Sequence, residues 1–212
     1  MKTSITILLF LMNTWAFGQG KIFSTGKTIV YAIEYTQDSI LTLDTITITA
    51  TGRPWQGAPD KQLEIIIKYN LEHLDTSLFR NASSIGWVNS DTTGAVDNLE
   101  SCWFHPPRHN QYKTLELAPF PRVEFPLHDG KTYSKMLFIG EGWGDISNTK
   151  VVWDYKVTGQ KVDLWKISAK ATPDINPAHI NHLDFVFSNN HGFTELIYTF
   201  YNGTMVNMKR ID

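Results

Sequence analysis

Short runs in which apolar and polar residues alternate, cut at close intervals by turn formers, constrain this chain more than any other feature. The last sixty or so residues show it best. Val151, Trp153, Tyr155 and Val157 alternate with Val152, Asp154, Lys156 and Thr158 ahead of Gly159-Gln160, which reads as a turn. A period of two sends each set to its own face of a strand. Val162–Ala171 returns, a polar loop with Pro173 and Pro177 intervenes, and Leu183, Phe185 and Phe187 line one face of the next strand. Asn189–Gly192 turns the chain into Phe193–Tyr201, and Asn202-Gly203, a strong two-residue hairpin signal, leads to a final strand over Thr204–Lys209.

The first half carries the same grammar. Lys27–Thr36 and Leu41–Thr51 read as a hairpin about Gln37-Asp38-Ser39, although the apolar face of the second run changes sides partway. A bulge, or a strand covered on both faces, accounts for that switch. Gly52–Pro59 punctuates the chain with two glycines and two prolines. Lys61–Asn70 is a further strand, and Leu71, Leu74 and Leu78 have the spacing of one or two helical turns over Leu71–Phe79. Strand-like segments recur at Ser84–Asn89, Asn98–Phe104, Tyr112–Leu117 and Tyr133–Ile139. Ten or more twisted strands cannot stay flat. The expected class is therefore all-β: a curved antiparallel sheet forming a half-barrel or barrel, with at most one or two short helices and a sandwich as the alternative.

At the N-terminus, Lys2, an apolar run from Ile5 to Met12 and Ala16-Phe17-Gly18 have the make-up of a cleavable export signal over residues 1–18. One β-rich domain over residues 19–212 is expected to follow, periplasmic or secreted, soluble and without a membrane span. Loss of Lys2 moves the formal charge from −2 to −3, with acids and bases interspersed along the chain, so nucleic acid is not an expected partner. Cys102 is the sole cysteine, which rules out an internal disulfide, and its alternating surroundings predict a buried, inert thiol.

The order Trp103-Phe-His-Pro-Pro-Arg108, Pro119-Phe-Pro121, Phe125-Pro-Leu127, Gly140-Glu-Gly-Trp-Gly144, Trp153-Asp-Tyr155 and Gly192-Phe193 resembles uncharacterised exported proteins of Bacteroidota-type bacteria. From Thr132 to Lys209 the alternation and turns also resemble exported β half-barrels, including lipoprotein carriers of the bacterial envelope. The second resemblance implies a lipid-binding concavity. Neither assigns a role to any residue.

The candidate binding residues follow from local chemistry. His105-Pro-Pro-Arg-His109 fixes an extended backbone, so its two histidines cannot share a helix face as zinc ligands, while Arg108 is held where its guanidinium can fork onto a carboxylate or phosphate. The alternative for Arg108 is an internal pair with Glu100, Glu116 or Glu124. Trp55 and Trp143 sit in glycine-rich loops, where a large ring serves as a lid, a platform or a plug. Val152-Trp153 and Leu164-Trp165 place apolar residues on both faces of one hairpin, so Trp153 and Trp165 complete the set. His179 and His182, with Asp174 and His128-Asp129 nearby in sequence, make a poor metal set, and Glu141 with Asp145 a poor glycosidase pair. No catalytic residue, metal or cofactor is assigned. The expected function is non-catalytic: an apolar or amphipathic, lipid-like ligand held in the concavity, or alternatively a glycan or envelope protein met through the loop aromatics. A hydrolase is the third reading.

Overall fold

The computed structural model describes residues 21–72, 75, 86–140, 148–172 and 182–212. Over these residues it is all-β, with one antiparallel sheet of twelve strands nearly closed into a barrel and one short helix. The strands are β1 (Thr28–Gln37), β2 (Ile40–Pro54), β3 (Leu63–Tyr69), β4 (Ser90–Asp97), β5 (Ser101–Phe104) and β6 (Arg122–Glu124). After them come β7 (Thr132–Ile139), β8 (Thr149–Lys161), β9 (Leu164–Thr172), β10 (His182–Ser188), β11 (Gly192–Thr199) and β12 (Met205–Arg210). Around the wall the order is β6-β5-β4-β3-β2-β1-β12-β11-β10-β9-β8-β7, so β12 pairs with β1 and the sheet's two edges are β6 and β7.

Alternation decides which side chains fill the inside. Ile29, Tyr31, Ile33 and Tyr35 of β1, Trp153, Tyr155 and Val157 of β8, and Leu183, Phe185 and Phe187 of β10 all point inward and are buried. With their counterparts on the other strands they form one continuous core, which Phe193 ties together through ring contacts to Phe104, Phe185 and Phe187. The concavity is thus occupied by the protein's own rings. Cys102 belongs to this core, where burial pushes its thiol well above the ordinary range.

Several local expectations are corrected. Tyr112–Leu117 is not a strand but part of a 3-10 helix over Asn110–Leu117, in which Tyr112 and Leu115, three apart and fully buried, reach the core together with the terminal Leu117. Gly86–Asn89 is not strand; the strand begins at Ser90, in a polar run without apolar alternation. The β8–β9 turn falls at Val162-Asp163 and not at Gly159-Gln160, which instead lie beside a register shift between Val157 and Gly159. No bulge interrupts the β1–β2 pairing from Thr28↔Thr49 to Gln37↔Ile40. The apolar face of β2 changes sides because Leu43 is left 72% exposed, while Asp44 turns toward the helix and accepts from Gln111 Nε2 at 2.8 Å and Tyr112 Oη at 2.7 Å. Most of the expected helical turns over Leu71–Phe79 lie outside the described residues.

Candidate functional site

The seam between β6 and β7 is closed without a ladder. Phe120, Arg122 and Glu124 direct carbonyl groups toward the gap, and side chains from the β7–β8 hairpin and its approach meet them. Tyr155 Oη donates to the Phe120 carbonyl at 2.9 Å, Tyr133 Oη to that of Arg122 at 2.6 Å, and Lys131 Nζ to that of Glu124 at 2.7 Å. The rings of Tyr133 and Tyr155 stack at 4.8 Å, nearly parallel. Lys135 Nζ reaches Glu124 Oε1 at 2.6 Å, and with Arg122 it holds the Glu124 carboxyl below its usual range against the opposing effect of partial burial.

Because β6 has only three residues and β7 has eight, the closure ends before β7 does. A cleft of about 200 Å³ opens there. One side is built by His105, Pro106, Arg108, Glu116, Leu117 and Phe120, the other by Leu137, Phe138, Ile139 and Gly140. Among the described residues the lining is apolar apart from His105, Arg108 and Glu116. The Glu116 carboxylate is engaged by Lys113.

Arg108 stands where the rigid Pro-Pro pair puts it. Its Nε donates to Asp91 Oδ2 at 3.2 Å, and His109 Nε2 lies 3.4 Å from the other oxygen of Asp91. The expected partners Glu100, Glu116 and Glu124 are therefore replaced by an acid on β4. Nothing else among the described residues engages the guanidinium, so its terminal nitrogens are free to fork onto an anion. The following residue, Asn110, locks the segment by bridging Val88 with both halves of its amide, each at 2.9 Å.

His105 is the hub of an aromatic cluster. Its ring lies 5.5 Å from Trp55, 5.4 Å from Trp103 and 4.6 Å from Phe120, and Phe120 in turn stands 4.6 Å from Trp153. Burial, helped by the nearby Arg108 charge, lowers the imidazole's pKa to about 4, which makes it a neutral wall at physiological pH. Trp55 is half-buried and wedged between Gly57 and Gly94, both of which would bring a Cβ within 3 Å of its ring.

Trp55, Arg108 and Trp153 thus gather around the seam, Trp55 and Trp153 through His105 and Phe120. Trp165 does not: it faces the core six residues along β9 from Ala171, the register partner of Trp153, roughly 20 Å away. Trp143, Glu141, Asp145, Asp174 and His179 lie outside the described residues. Among the described residues, no group of three or more His, Cys, Asp or Glu side chains is placed to hold a metal, and no helix is long and apolar enough to cross a membrane. Sequence reading missed His105 as the hub, Phe120 and Asp91. Only the density of aromatics around Pro119–Pro121 hinted at the first two. The fold and cleft define an antiparallel barrel breached at its seam. Compared with known proteins, the chain matches no family model and no curated relative.

Proposed function

We propose that this is an exported, non-catalytic binding protein that takes the end of a small amphipathic acid into the seam cleft. The observation that carries the reading is Arg108: a guanidinium held at the wall of an apolar cleft by a single hydrogen bond to Asp91. The ligand's carboxylate forks onto the terminal nitrogens while its apolar part packs on Leu117, Phe120, Leu137 and Ile139. At about 200 Å³ the cleft admits only a small molecule or one end of a longer one. The exposed Phe138 and Met136 on the outer face of β7 continue the apolar surface beyond it. The core rings that occupy the concavity favour this wall site over an interior one. Export is supported by Lys2, the Ile5–Met12 run and Ala16-Phe17-Gly18.

The test is a calorimetric titration of the purified protein with decanoate, alongside mass spectrometry of its organic extract. Decanoate is expected to bind, Arg108→Gln to weaken it at least about tenfold, from a charge-assisted pair's ~1.5–3 kcal/mol, and Leu137→Trp to abolish it by filling the cleft. Absence of both decanoate binding and any copurifying acid, with the protein folded, overturns the reading.

A further inference from the structure

Apart from the seam, a second concavity, of about 560 Å³, crosses the outer face of β8 to β12. Two register shifts shape it, one between Val157 and Gly159 and one between Val186 and Phe187, each bending its strand where the groove passes. Strand register aligns Lys166, Val186, Glu195 and Lys209 in one transverse row along the groove. Lys161 and Leu164 form the next row toward the hairpin tip. Arg210 also lines the groove but is already committed, bidentate to Asp212 and donating to the His191 carbonyl. Lys161, Lys166 and Lys209 are exposed and have no carboxylate partner among the described residues.

We infer that this groove binds an extended acidic peptide segment, with carboxylates four residues apart seated on Lys166 and Lys209. Three interstrand spacings separate these two lysines, about 14 Å, and a fully extended chain covers about 13 Å in four residues. Lys161 takes a flanking acid. Val186 supplies an apolar floor for the residues between, Leu164 one beside Lys161, and Glu195 repels an acid at the centre, so the segment reads acid, three non-acidic residues, acid. No aromatic ring among the described residues lines the groove, which disfavours a sugar chain needing a stacking platform, and its concavity disfavours a flat lipid surface. This site is separate from the seam cleft and stands or falls without it.

The probe is a fluorescein-labelled decapeptide with two glutamates four apart among alanines and serines, followed by anisotropy with the full chain. Binding that weakens with added salt is expected. Lys166→Gln with Lys209→Gln should weaken it at least tenfold. Lys156→Gln with Lys170→Gln, which removes two charges from β8 and β9 outside the groove, should change it less than twofold, as should Arg108→Gln at the seam. Moving the glutamates two residues apart should cost at least threefold. Equal loss from both lysine pairs would mean that net charge alone attracts the peptide, and the proposal fails. It also fails if the peptide does not bind, or if a sulfated polysaccharide or 7:3 phosphatidylcholine–phosphatidylserine vesicles bind through Lys166 and Lys209 while the peptide does not.

Discussion

The hydroxyl of Tyr133, on edge strand β7, donates to the main-chain carbonyl of Arg122, on the opposite edge strand β6, at 2.6 Å. A side chain here stands where a backbone N–H would stand in a ladder. The donor's ring needs room, so the two edges are held apart while their carbonyl groups are still satisfied. Tyr155 does the same for Phe120, and Lys131 for Glu124. The barrel therefore closes by these three donors together with the Lys135–Glu124 ion pair, and where they end the cleft begins.

Removing one of these donors strands a carbonyl without widening the seam. Tyr133→Phe is expected to cost about 1–3 kcal/mol, the penalty for an unsatisfied buried acceptor, and Tyr155→Phe a similar amount. Urea denaturation gives the cost. Hydrogen exchange should localise the change to β6 and β7, with β1 and β12, on the far side of the wall, unaffected. A uniform loss of protection across the barrel would contradict the seam as a separate closure.

The neutral His105 makes stability depend on acid. In the unfolded chain its imidazole takes up a proton near pH 6.5, whereas in the fold it does so only near 4. Between those values the unfolded state binds more protons, so stability falls as pH drops through the window and the loss is complete below about 4. The full difference is on the order of 3 kcal/mol. His105→Phe retains a ring against Trp55, Trp103 and Phe120 while removing the proton site. Urea midpoints measured from pH 7 to 4 should fall less steeply for this variant than for the parent.

Much of this architecture is written locally. The β8 to β12 run follows from alternation, and Asn202-Gly203 makes its turn because Gly203 takes a positive φ without a Cβ penalty. Strand number excludes a flat sheet and left barrel and sandwich both open; the choice between them is made by the pairing of β1 with β12, residues far apart in the chain. What escapes local reading is what distant partners decide. β6 has three residues and no pattern of its own; it is a strand only because Ser101, Cys102 and Trp103 pair with it. The segment Ser90–Asp97 is polar enough to pass for a loop, yet Leu63–Lys68 fixes it as a strand. Arg108 was legible as a held cation, but Asp91, its partner, is set by how β4 meets the Pro-Pro segment. The alternation that sends Lys166 and Lys209 outward is local, but their meeting with Val186 and Glu195 in one row is set by register across four strands.

Asp44 shows how an acid can face inward on a strand that is otherwise apolar there. Burial raises its pKa, partly offset by the hydrogen bonds from Tyr112, Thr45 and Gln111. The folded state therefore binds this proton at higher pH than the unfolded chain, and stability declines as pH rises from the unfolded carboxyl's pKa through the raised one. Asp44→Asn keeps an acceptor for Tyr112 and should remove that decline. Asp44→Ala leaves Tyr112 Oη and Gln111 Nε2 without their acceptor and should cost about 1–3 kcal/mol. Both are read from urea curves taken at several pH values. Equal stability of the two variants would show that the helix docks on its rings alone.

Gly94 tests how Trp55 is held. A Cβ there would stand 1.9 Å from Gln62 Oε1 and 2.7 Å from the Trp55 ring, and the ring has little room to slide away because the Gly57 backbone lies so near its benzo edge that a Cβ added at Gly57 would fall 2.5 Å from it. Gln62 can swing its amide, but the indole must leave its slot. Gly94→Ala should therefore cost about 1–3 kcal/mol by overpacking and shift tryptophan emission to longer wavelength as Trp55 becomes wet. Gly140→Ala, where nothing lies within 4 Å of the added carbon, should change stability by less than about 0.5 kcal/mol. In a Trp55→Ala background the cost of Gly94→Ala should shrink by more than half, which a double-mutant cycle measures directly. An undiminished cost there would place the clash at Gln62 and free Trp55 from any role in locking His105 beside the seam.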